Sequence, residues 1–216
     1  MLAIINFKAY ENSSGFNAIR LAKICEKVAK KKKANIAVAV QPADIFAVAS
    51  NVSIPVIAQH VDAIRYGANT GWILPESVVM AGAVGSLVNH SEHPIPLPQI
   101  KETIRRLREL GMVSVACAGT PSMAVKIADF YPDAIAIEPP ELIGGNISVS
   151  KARPQVIANT TSRIRDVPIL CGAGIRTTED VKRAVELGVR GILVSSGVAN
   201  AKSPGTALAQ LVKGLM

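Results

Sequence analysis

Eight short apolar runs are spread along the chain, and most of them are continuously apolar instead of alternating with polar residues. Strands that are buried on both faces have this composition, which is typical of a parallel sheet covered by helices. We therefore predict eight strands, at residues 2–5, 36–40, 56–58, 84–89, 113–118, 134–137, 167–171 and 191–194.

A helical pattern follows each of these runs, although it is short and irregular between residues 43 and 72. Ser150 is expected to open the helix before the seventh strand, Thr120 or Ser122 to cap an earlier one, and Gly111 to end another. Eight successive strand–helix units predict an α/β fold, the (β/α)8 or TIM barrel, with short loops on its inactive face. A length of 216 residues fits one such domain over residues 1–216.

The cysteine content and hydropathy restrict the cellular setting that we expect. The three cysteines are far apart and odd in number, so neither a disulfide framework nor a zinc-ligand pattern is visible. No charged and apolar leader is seen at the start, and no apolar run reaches the ~18 residues of a membrane span. We expect a soluble cytoplasmic protein without membrane association.

The formal net charge is +8, and part of it comes from lysines at positions 27 and 30–33. A basic run can mark nucleic-acid binding. This run, however, ends a helical pattern, where cations interact favourably with the helix dipole, and no aromatic residue interleaves with it for base stacking. We favour a solvated helix end and expect no nucleic-acid partner. The excess positive charge would also attract a small anionic substrate.

Chemistry-bearing residues stand where the predicted strands end, which is the catalytic face of this fold. In chain order these strand ends carry Asn6 and Lys8, Gln59, His90 with Glu92, Glu138, residues 172–174 and residues 195–197. The last two are turns of small residues after strands seven and eight, where barrels commonly bind phosphate through backbone N–H groups.

Each of these residues also has a purely structural interpretation. Lys8 fits a salt bridge at the rim, His90 a satisfied histidine at a strand end, and Glu92 a cap of the next helix. Glu138 taken alone fits a solvated strand-end carboxylate, since most charged side chains are exposed. The two small-residue turns fit ordinary turn chemistry, and His93 before Pro94 fits a loop.

The stretch from 135 to 146 is the one around which the other strand ends are arranged. An apolar run ends abruptly in Glu138, two prolines stop the strand, and Gly-Gly-Asn closes the following loop. A carboxylate is thereby predicted at the tip of a buried strand, beside a loop that is stiff at one end and permissive at the other. A catalytic base beneath a mobile lid has these requirements.

Three short motifs resemble the signatures of triosephosphate isomerases. They are Asn6-Phe7-Lys8, Asn89-His90-Ser91-Glu92 and Ile137-Glu138-Pro139, in the order of that family and on strands one, four and six. The sequence Glu-Pro-Pro-Glu-Leu-Ile-Gly-Gly-Asn after strand six and Cys-Gly-Ala-Gly after strand seven resemble the compact archaeal branch. The resemblance covers essentially the whole chain.

The resemblance implies an isomerase that interconverts dihydroxyacetone phosphate and glyceraldehyde 3-phosphate through an enediolate, with no metal or cofactor. It implies that Glu138 is the base, that His90 is a neutral electrophile favoured by the helix that follows it, and that Lys8 and Asn6 stabilise developing charge. Glu92 would orient Lys8 or shuttle a proton. The implied substrate- and phosphate-binding set is Asn6, Lys8, Ile143, Gly144, Gly174, Ser195 and Ser196, with residues 139–146 as the lid.

Two departures from the common family pattern concern the lid and the assembly. The Tyr-Gly-Gly-Ser turn that latches the lid elsewhere is replaced here by residues 171–174, Cys-Gly-Ala-Gly, and the usual arginines after Glu92 are replaced by His93-Pro94. Residues 67–71 resemble the loop that reaches into a partner subunit, so we expect a homodimer or homotetramer.

Rival hypotheses are another phosphate-binding barrel, such as a pentose-phosphate epimerase, and a non-catalytic barrel that binds phosphate or nucleic acid.

Overall fold

The structure is a computed structural model that describes residues 1–139 and 148–216. Within these ranges, eight parallel strands close into a barrel, because β1 is hydrogen-bonded to both β2 and β8. The predicted (β/α)8 barrel is confirmed. The strands are β1 (Leu2–Asn6), β2 (Asn35–Val40), β3 (Val56–Ala58), β4 (Gly85–Val88), β5 (Val113–Ala118), β6 (Ala134–Ile137), β7 (Ile169–Cys171) and β8 (Gly191–Val194).

Helices surround the barrel in the described part of the chain. They are α1 (Phe16–Lys32), α2 (Ile45–Ala49), α3 (Pro75–Met80), α4 (Leu97–Glu109), α5 (Pro121–Ala128), α6 (Val149–Ala152), α7 (Pro154–Arg163), α8 (Thr178–Glu186), α9 (Ser196–Ala199) and α10 (Pro204–Lys213). Short 3₁₀ turns at Glu11–Ser13 and Pro42–Asp44 precede α1 and α2. The lysine run occupies the last turn of α1 and its C-cap, as expected for a helix end.

The buried apolar side chains form two clusters, one inside the barrel and one between the strands and the helices. Successive side chains of a strand point to opposite faces, so the inner cluster takes every second residue. In β1, for example, Ile4 belongs to the inner cluster, whereas Ala3 and Ile5 belong to the outer one. Because the alternation continues to the strand end and past it, the residue two positions after the last inner-cluster residue also points toward the barrel axis. This rule places Asn6 after Ile4 and Glu138 after Ala136 at the carboxyl rim.

Two predicted strands are shorter than their apolar runs. β4 covers only Gly85–Val88, because Asn89 adopts a left-handed conformation with φ +59° that ends the strand. β7 begins at Ile169 rather than at 167, because Pro168 has no N–H to donate to the sheet. Both differences arise from backbone properties that an apolar pattern does not contain.

The helix expected from Ser150 onward is divided into two. α6 begins one residue earlier, at Val149, and Pro154 starts α7, because a proline displaces the preceding residue from the helical region. Arg153 accordingly has φ −143° and ψ 60°. The four-residue helix α9 was not predicted, since it is too short to show a helical period.

Capping explains several helix boundaries. The Thr177 side chain and Asp180 form a reciprocal capping box at the start of α8. Thr120, rather than Ser122, caps α5 by accepting a hydrogen bond from the Met123 N–H. Among the helices of the described ranges, none combines the length and the apolar composition that crossing a lipid bilayer would need.

Candidate active site

A polar cavity lies at the carboxyl ends of the strands, and we call it the rim cavity. One side carries the side chains of Asn6, Lys8, His90 and Glu138, and the other is formed by residues 173–176 and 193–197 after β7 and β8. Residues far apart in the sequence, from Asn6 to Gly197, thus meet at one cavity. The rule that functional residues lie at the strand ends of this fold predicts such a meeting.

Glu138 is buried, with only 6% of its surface exposed. Burial raises the pKa of its carboxyl group from the usual 4.5 to about 7; a hydrogen bond from Cys117 and the charge of Lys8 act in the opposite direction. Its Oε2 atom has no hydrogen-bond partner among the described residues. A buried carboxyl group that titrates near neutrality, with an unsatisfied oxygen at a cavity, is suited to exchange protons with a bound ligand.

His90 faces Glu138 across the cavity, with 3.8 Å between His90 Nε2 and Glu138 Oε2. Its Nδ1 atom accepts a hydrogen bond from the Glu92 N–H at 3.2 Å. Because an accepting Nδ1 carries no proton, the proton of the neutral ring lies on Nε2, the nitrogen that points toward Glu138. The ring can therefore donate a hydrogen bond into the cavity.

The neutral form of His90 is favoured by its surroundings. Burial lowers the pKa of the imidazole, the charge of Lys8 lowers it further, and the charge of Glu92 opposes both. The family resemblance implied that the helix following His90 favours the neutral ring. That helix, α4, begins only at Leu97, so burial is the larger cause here.

Lys8 is tied to Glu92 by an ion pair of 2.7 Å between Nζ and Oε1. The Lys8 backbone has φ +50°, and its N–H donates to Asn6 Oδ1 at 3.0 Å. Gln59 holds the same turn from the other side, since its amide nitrogen donates to the Lys8 carbonyl at 3.0 Å. Glu92 does not cap α4, whose N-cap is Pro96. Its contact with Lys8 fits the orienting role among the alternatives.

The turns after β7 and β8 form the opposite wall of the rim cavity. Ala173 and Gly174 both have left-handed backbones, with φ +68° and +69°. Such a conformation costs an alanine about 1–2 kcal/mol, and strain of this kind concentrates at functional sites. Ser195 stands at the N-cap position of α9, but its side chain makes no capping hydrogen bond, and its buried hydroxyl has no partner among the described residues. Ser195 and Glu138, which carry these two unsatisfied oxygens, line the same cavity, as expected where a polar ligand binds.

One residue that supports this site, Asn89, was not singled out as a site residue from the sequence. Asn89 donates a hydrogen bond to the Cys117 carbonyl and accepts one from Ile95 N–H, both at 3.0 Å, and so holds the loop that carries His90. Such neighbours depend on three-dimensional proximity. The one available signal was the position of Asn89 inside the motif that contains His90. The predicted binding residues Ile143 and Gly144, and positions 140–146 of the predicted lid, lie outside the described residues.

Gly172 lies directly against the Glu138 side chain. A Cβ atom built on this glycine would be 2.5 Å from Glu138 Cγ and 2.8 Å from Cδ, too close for either to remain in place. The backbone of Gly172 is not in the left-handed region, so its conformation does not itself require a glycine. The close contact with Glu138 does. A glycine is required here to leave room for the carboxyl group.

We expect Gly172→Ala to displace the Glu138 carboxyl group and thereby to lower any turnover that depends on it by about 10²-fold, because moving a reacting group by 1 Å costs about this much. The comparison is Gly205→Ala in α10, which adds the same methyl group 3.2 Å from Ile24 Cγ2, with no Glu138 atom among its nearest contacts. Steady-state kinetics of both variants measure the effect. Equal activity of the two variants would contradict the steric assignment.

A second group of titratable side chains lines a neighbouring pocket that it shares with His90 and Glu92. The rings of His60 and His93 contact each other at a tilt of 39°, with centroids 4.2 Å apart, and His60 Nε2 is 3.2 Å from Asp62 Oδ1. Asp62 Oδ2 accepts a hydrogen bond from Ile73 N–H at 2.7 Å, which fixes the base of the loop at residues 62–73. Within residues 1–139 and 148–216, no group of three or more His, Cys, Asp or Glu side chains is arranged to hold a metal ion.

A closed barrel with a buried carboxyl group facing a neutral imidazole at its carboxyl rim defines a (β/α)8-barrel enzyme equipped for proton transfer. A sequence model of triosephosphate isomerase matches residues 1–215. The chain is 47% identical to the triosephosphate isomerase of Methanothermus fervidus over 98% of this chain and 97% of that protein. It is 43% identical to that of Methanocaldococcus jannaschii, over 99% of both.

The chain belongs to the triosephosphate isomerase family. It is an intramolecular isomerase, and its reaction is the interconversion of dihydroxyacetone phosphate and D-glyceraldehyde 3-phosphate in glycolysis and gluconeogenesis. Similarity to archaeal members at 43–47% identity over nearly the full length agrees with the resemblance to the compact branch.

Proposed function

We propose that the side chains of the rim cavity carry out this isomerisation, with Glu138 as the base and His90 as the electrophile. The observation that carries the proposal is their opposed placement, with Nε2 of His90 3.8 Å from Oε2 of Glu138. A carbonyl group and its neighbouring carbon that were bound against both side chains would meet a hydrogen-bond donor and a proton acceptor at once.

In the proposed mechanism, Glu138 removes a proton from one carbon of the triose phosphate and returns it to the adjacent carbon. A pKa of about 7 supports this role, because a base exchanges protons in both directions most effectively when its pKa is near the working pH. The buried setting limits the access of water to the carboxyl group.

His90 is proposed to donate its Nε2–H to the substrate oxygen that becomes negative in the enediolate. Lys8 supplies a fixed positive charge near that oxygen, and Asn6 supplies a hydrogen bond, both as part of an oriented electrostatic environment. Glu92 acts through Lys8, which its carboxylate holds at 2.7 Å.

The phosphate group is proposed to bind at the opposite wall, against backbone N–H groups near Gly174, Ser195 and Ser196. Support comes from the start of α9 at Ser196, because the first N–H groups of a helix have no partner within it and attract anions. By family resemblance, Ile143 and Gly144 would contribute from the loop 139–146, closing over the substrate as a lid that protects the enediolate.

Isomerisation in D₂O tests the proton-transfer mechanism. Dihydroxyacetone phosphate is converted by the native protein, and the glyceraldehyde 3-phosphate formed is trapped by oxidation and analysed by mass spectrometry. A base that exchanges its proton with solvent is expected to place deuterium at C2 in most of the product. Product that carries only substrate hydrogen at C2 would contradict a base that exchanges its proton with solvent, and a blank without protein corrects for spontaneous exchange.

We also propose that the chain assembles as a homodimer or homotetramer through the loop at residues 67–71. Support comes from exposed aromatic side chains, one of which directly follows this loop, since exposed apolar patches mark interaction sites. Phe16 is 91% exposed, Phe46 69% and Trp72 55%. Phe16 and Phe46 belong to neighbouring segments, because Asp44 accepts hydrogen bonds from Gly15 N–H at 3.1 Å.

Phe46→Lys is expected to shift the protein toward monomers, because a lysine charge cannot be buried without a partner in an apolar contact. Phe46→Leu, which keeps an apolar side chain, should retain the assembly. Sedimentation velocity at micromolar concentration measures both. A native protein that sediments only as a fully active monomer would rule the assembly out.

A cytoplasmic location and the absence of a nucleic-acid partner complete the proposal. The three cysteines are buried free thiols, which suits a reducing compartment. The lysines at the end of α1 have a structural explanation, because they lie where the helix dipole favours cations. The proposed steps use only side-chain and backbone groups of the chain.

A further inference from the structure

A basic side chain outside the family motifs lines the rim cavity beside the proposed phosphate-binding turns. Arg176 follows the turn at residues 172–174 and borders the cavity together with residues 195–197. A Cβ atom built on Gly197 would lie 3.7 Å from Cγ of Arg176. The Arg176 side chain therefore runs beside the turn at which α9 begins.

The guanidinium group of Arg176 has no salt-bridge or hydrogen-bond partner within residues 1–139 and 148–216. Other arginines of the chain are used structurally: Arg65 and Arg106 pair with Glu109, and Arg108 donates to the carbonyl groups of Phe130 and Tyr131. Arg176 is thus an exposed cation at a cavity, with its five donors available to a ligand.

Asp180 fixes the backbone from which Arg176 extends. Its Oδ2 atom accepts the N–H groups of Arg176 and Thr177 at 3.1 and 2.9 Å. Its Oδ1 atom accepts the Ser148 hydroxyl at 3.0 Å and pairs with Lys151 at 2.7 Å. One buried carboxylate therefore joins α6, α8 and the loop after β7, so that the position of Arg176 relative to the cavity is set by a rigid network.

The other cation of the cavity is already partly neutralised. Lys8 forms an ion pair with Glu92, whereas a phosphate monoester carries a charge of about −1.5 to −2 at neutral pH. A planar guanidinium matches two phosphate oxygens at once and is weakly hydrated, which favours this contact over one with a lysine.

We propose that Arg176 is a second phosphate-binding cation of this site, pairing with the substrate phosphate beside the turns at residues 172–174 and 195–197. The inference rests on the proposed function, because it requires the phosphate group to occupy that wall of the rim cavity. Arg176 would contribute to substrate binding and not to the proton transfer, which occurs at Glu138 and His90.

Arg176→Ala is expected to raise KM for glyceraldehyde 3-phosphate by about tenfold with kcat within threefold of native, and Arg176→Lys to raise it by about threefold. These factors correspond to the loss of one charge-assisted hydrogen-bond pair at an exposed position. Arg183→Ala in α8 is the control, because it removes the same charge from an exposed position outside the cavity. It should leave KM within twofold of native.

Two further measurements separate this inference from the proposed function. Titration calorimetry with inorganic phosphate needs no turnover, and we expect about tenfold weaker binding to Arg176→Ala than to Arg183→Ala. Glyceraldehyde, which lacks the phosphate, should be isomerised equally by both variants.

Equal phosphate affinity of the two variants would overturn the role of Arg176 even in an active enzyme. An equal loss of Arg176→Ala activity on glyceraldehyde and on glyceraldehyde 3-phosphate would also overturn it. An inactive native protein that still shows the affinity difference would instead overturn the proposed catalytic roles.

Discussion

Glu138→Gln is expected to remove almost all isomerase activity and, at the same time, to make the folded protein more stable at alkaline pH. General-base catalysis contributes about 10²–10⁴-fold to a rate, so kcat should fall by about 10³-fold. Glu138→Asp, which keeps the charge but withdraws the carboxylate from the carbon acid, should lose about 10²-fold. Glu186→Gln, an exposed position on α8, serves as the control and should keep native activity.

The gain in stability follows from the raised pKa of the buried carboxyl group. Between about pH 4.5 and pH 7 the folded protein retains a proton that the unfolded chain has lost, so the free energy of unfolding falls as pH rises through this window. At about 1.4 kcal/mol for each pKa unit, the native protein is destabilised by about 3 kcal/mol above pH 7. Glutamine carries no charge and avoids this cost.

Urea unfolding of the native protein and of Glu138→Gln at pH 5 and pH 8 measures this effect. The variant should be more stable by less than about 1 kcal/mol at pH 5 and by about 3 kcal/mol at pH 8. Because other titrating groups are common to both proteins, they cancel in the difference. A stability difference that does not change with pH would show that Glu138 titrates normally in the folded protein.

His90→Gln is expected to lower kcat by about 10²–10³-fold with a smaller change in KM. Removing one donor that stabilises a developing oxyanion has effects of this size, because the lost interaction is stronger in the transition state than in the ground state. His93→Gln is a matched control, since His93 is an exposed loop residue that stacks on His60. It should keep at least half of the native kcat.

The protonation state of His90 can be observed directly by ¹⁵N NMR. We expect a neutral ring with the proton on Nε2 from pH 8 to below pH 6.5, because burial and the Lys8 charge lower its pKa. The bond from the Glu92 N–H to Nδ1 fixes this tautomer. A positively charged ring at pH 7, or a proton on Nδ1, would contradict the role assigned to His90.

The architecture was predictable from sequence because its strands are buried on both faces. Continuous apolar runs located all eight strands, and β3, β5, β6 and β8 have the predicted bounds. The ends of β4 and β7 were misplaced, because they depend on the left-handed backbone of Asn89 and on the missing N–H of Pro168. The division of α6 from α7 at Pro154 follows from a local steric clash that the helical period alone does not reveal.

The site was predictable only as far as the strand-end rule and the family motifs extend. Together they named Lys8, His90 and Glu138, which the structure brings to one cavity. They did not reveal that Gly172 leaves space for the Glu138 carboxyl group, or that Arg176 lies at the same cavity. These features depend on side chains of different strands meeting in space, and a single sequence does not encode such distances in any periodic pattern.

The alternation of inner and outer side chains makes enzyme activity a reporter of strand alignment during refolding. Glu138 faces the barrel axis because it stands two residues after Ala136, which belongs to the inner cluster. If β6 paired with its neighbours one residue out of register, the carboxyl group would turn toward the helices and Ile137 would take its place. A misaligned barrel could therefore be compact and rich in secondary structure yet inactive. Recovery of catalysis after dilution from denaturant would then mark the moment at which β6 finds its correct partners, later than the return of helical circular dichroism.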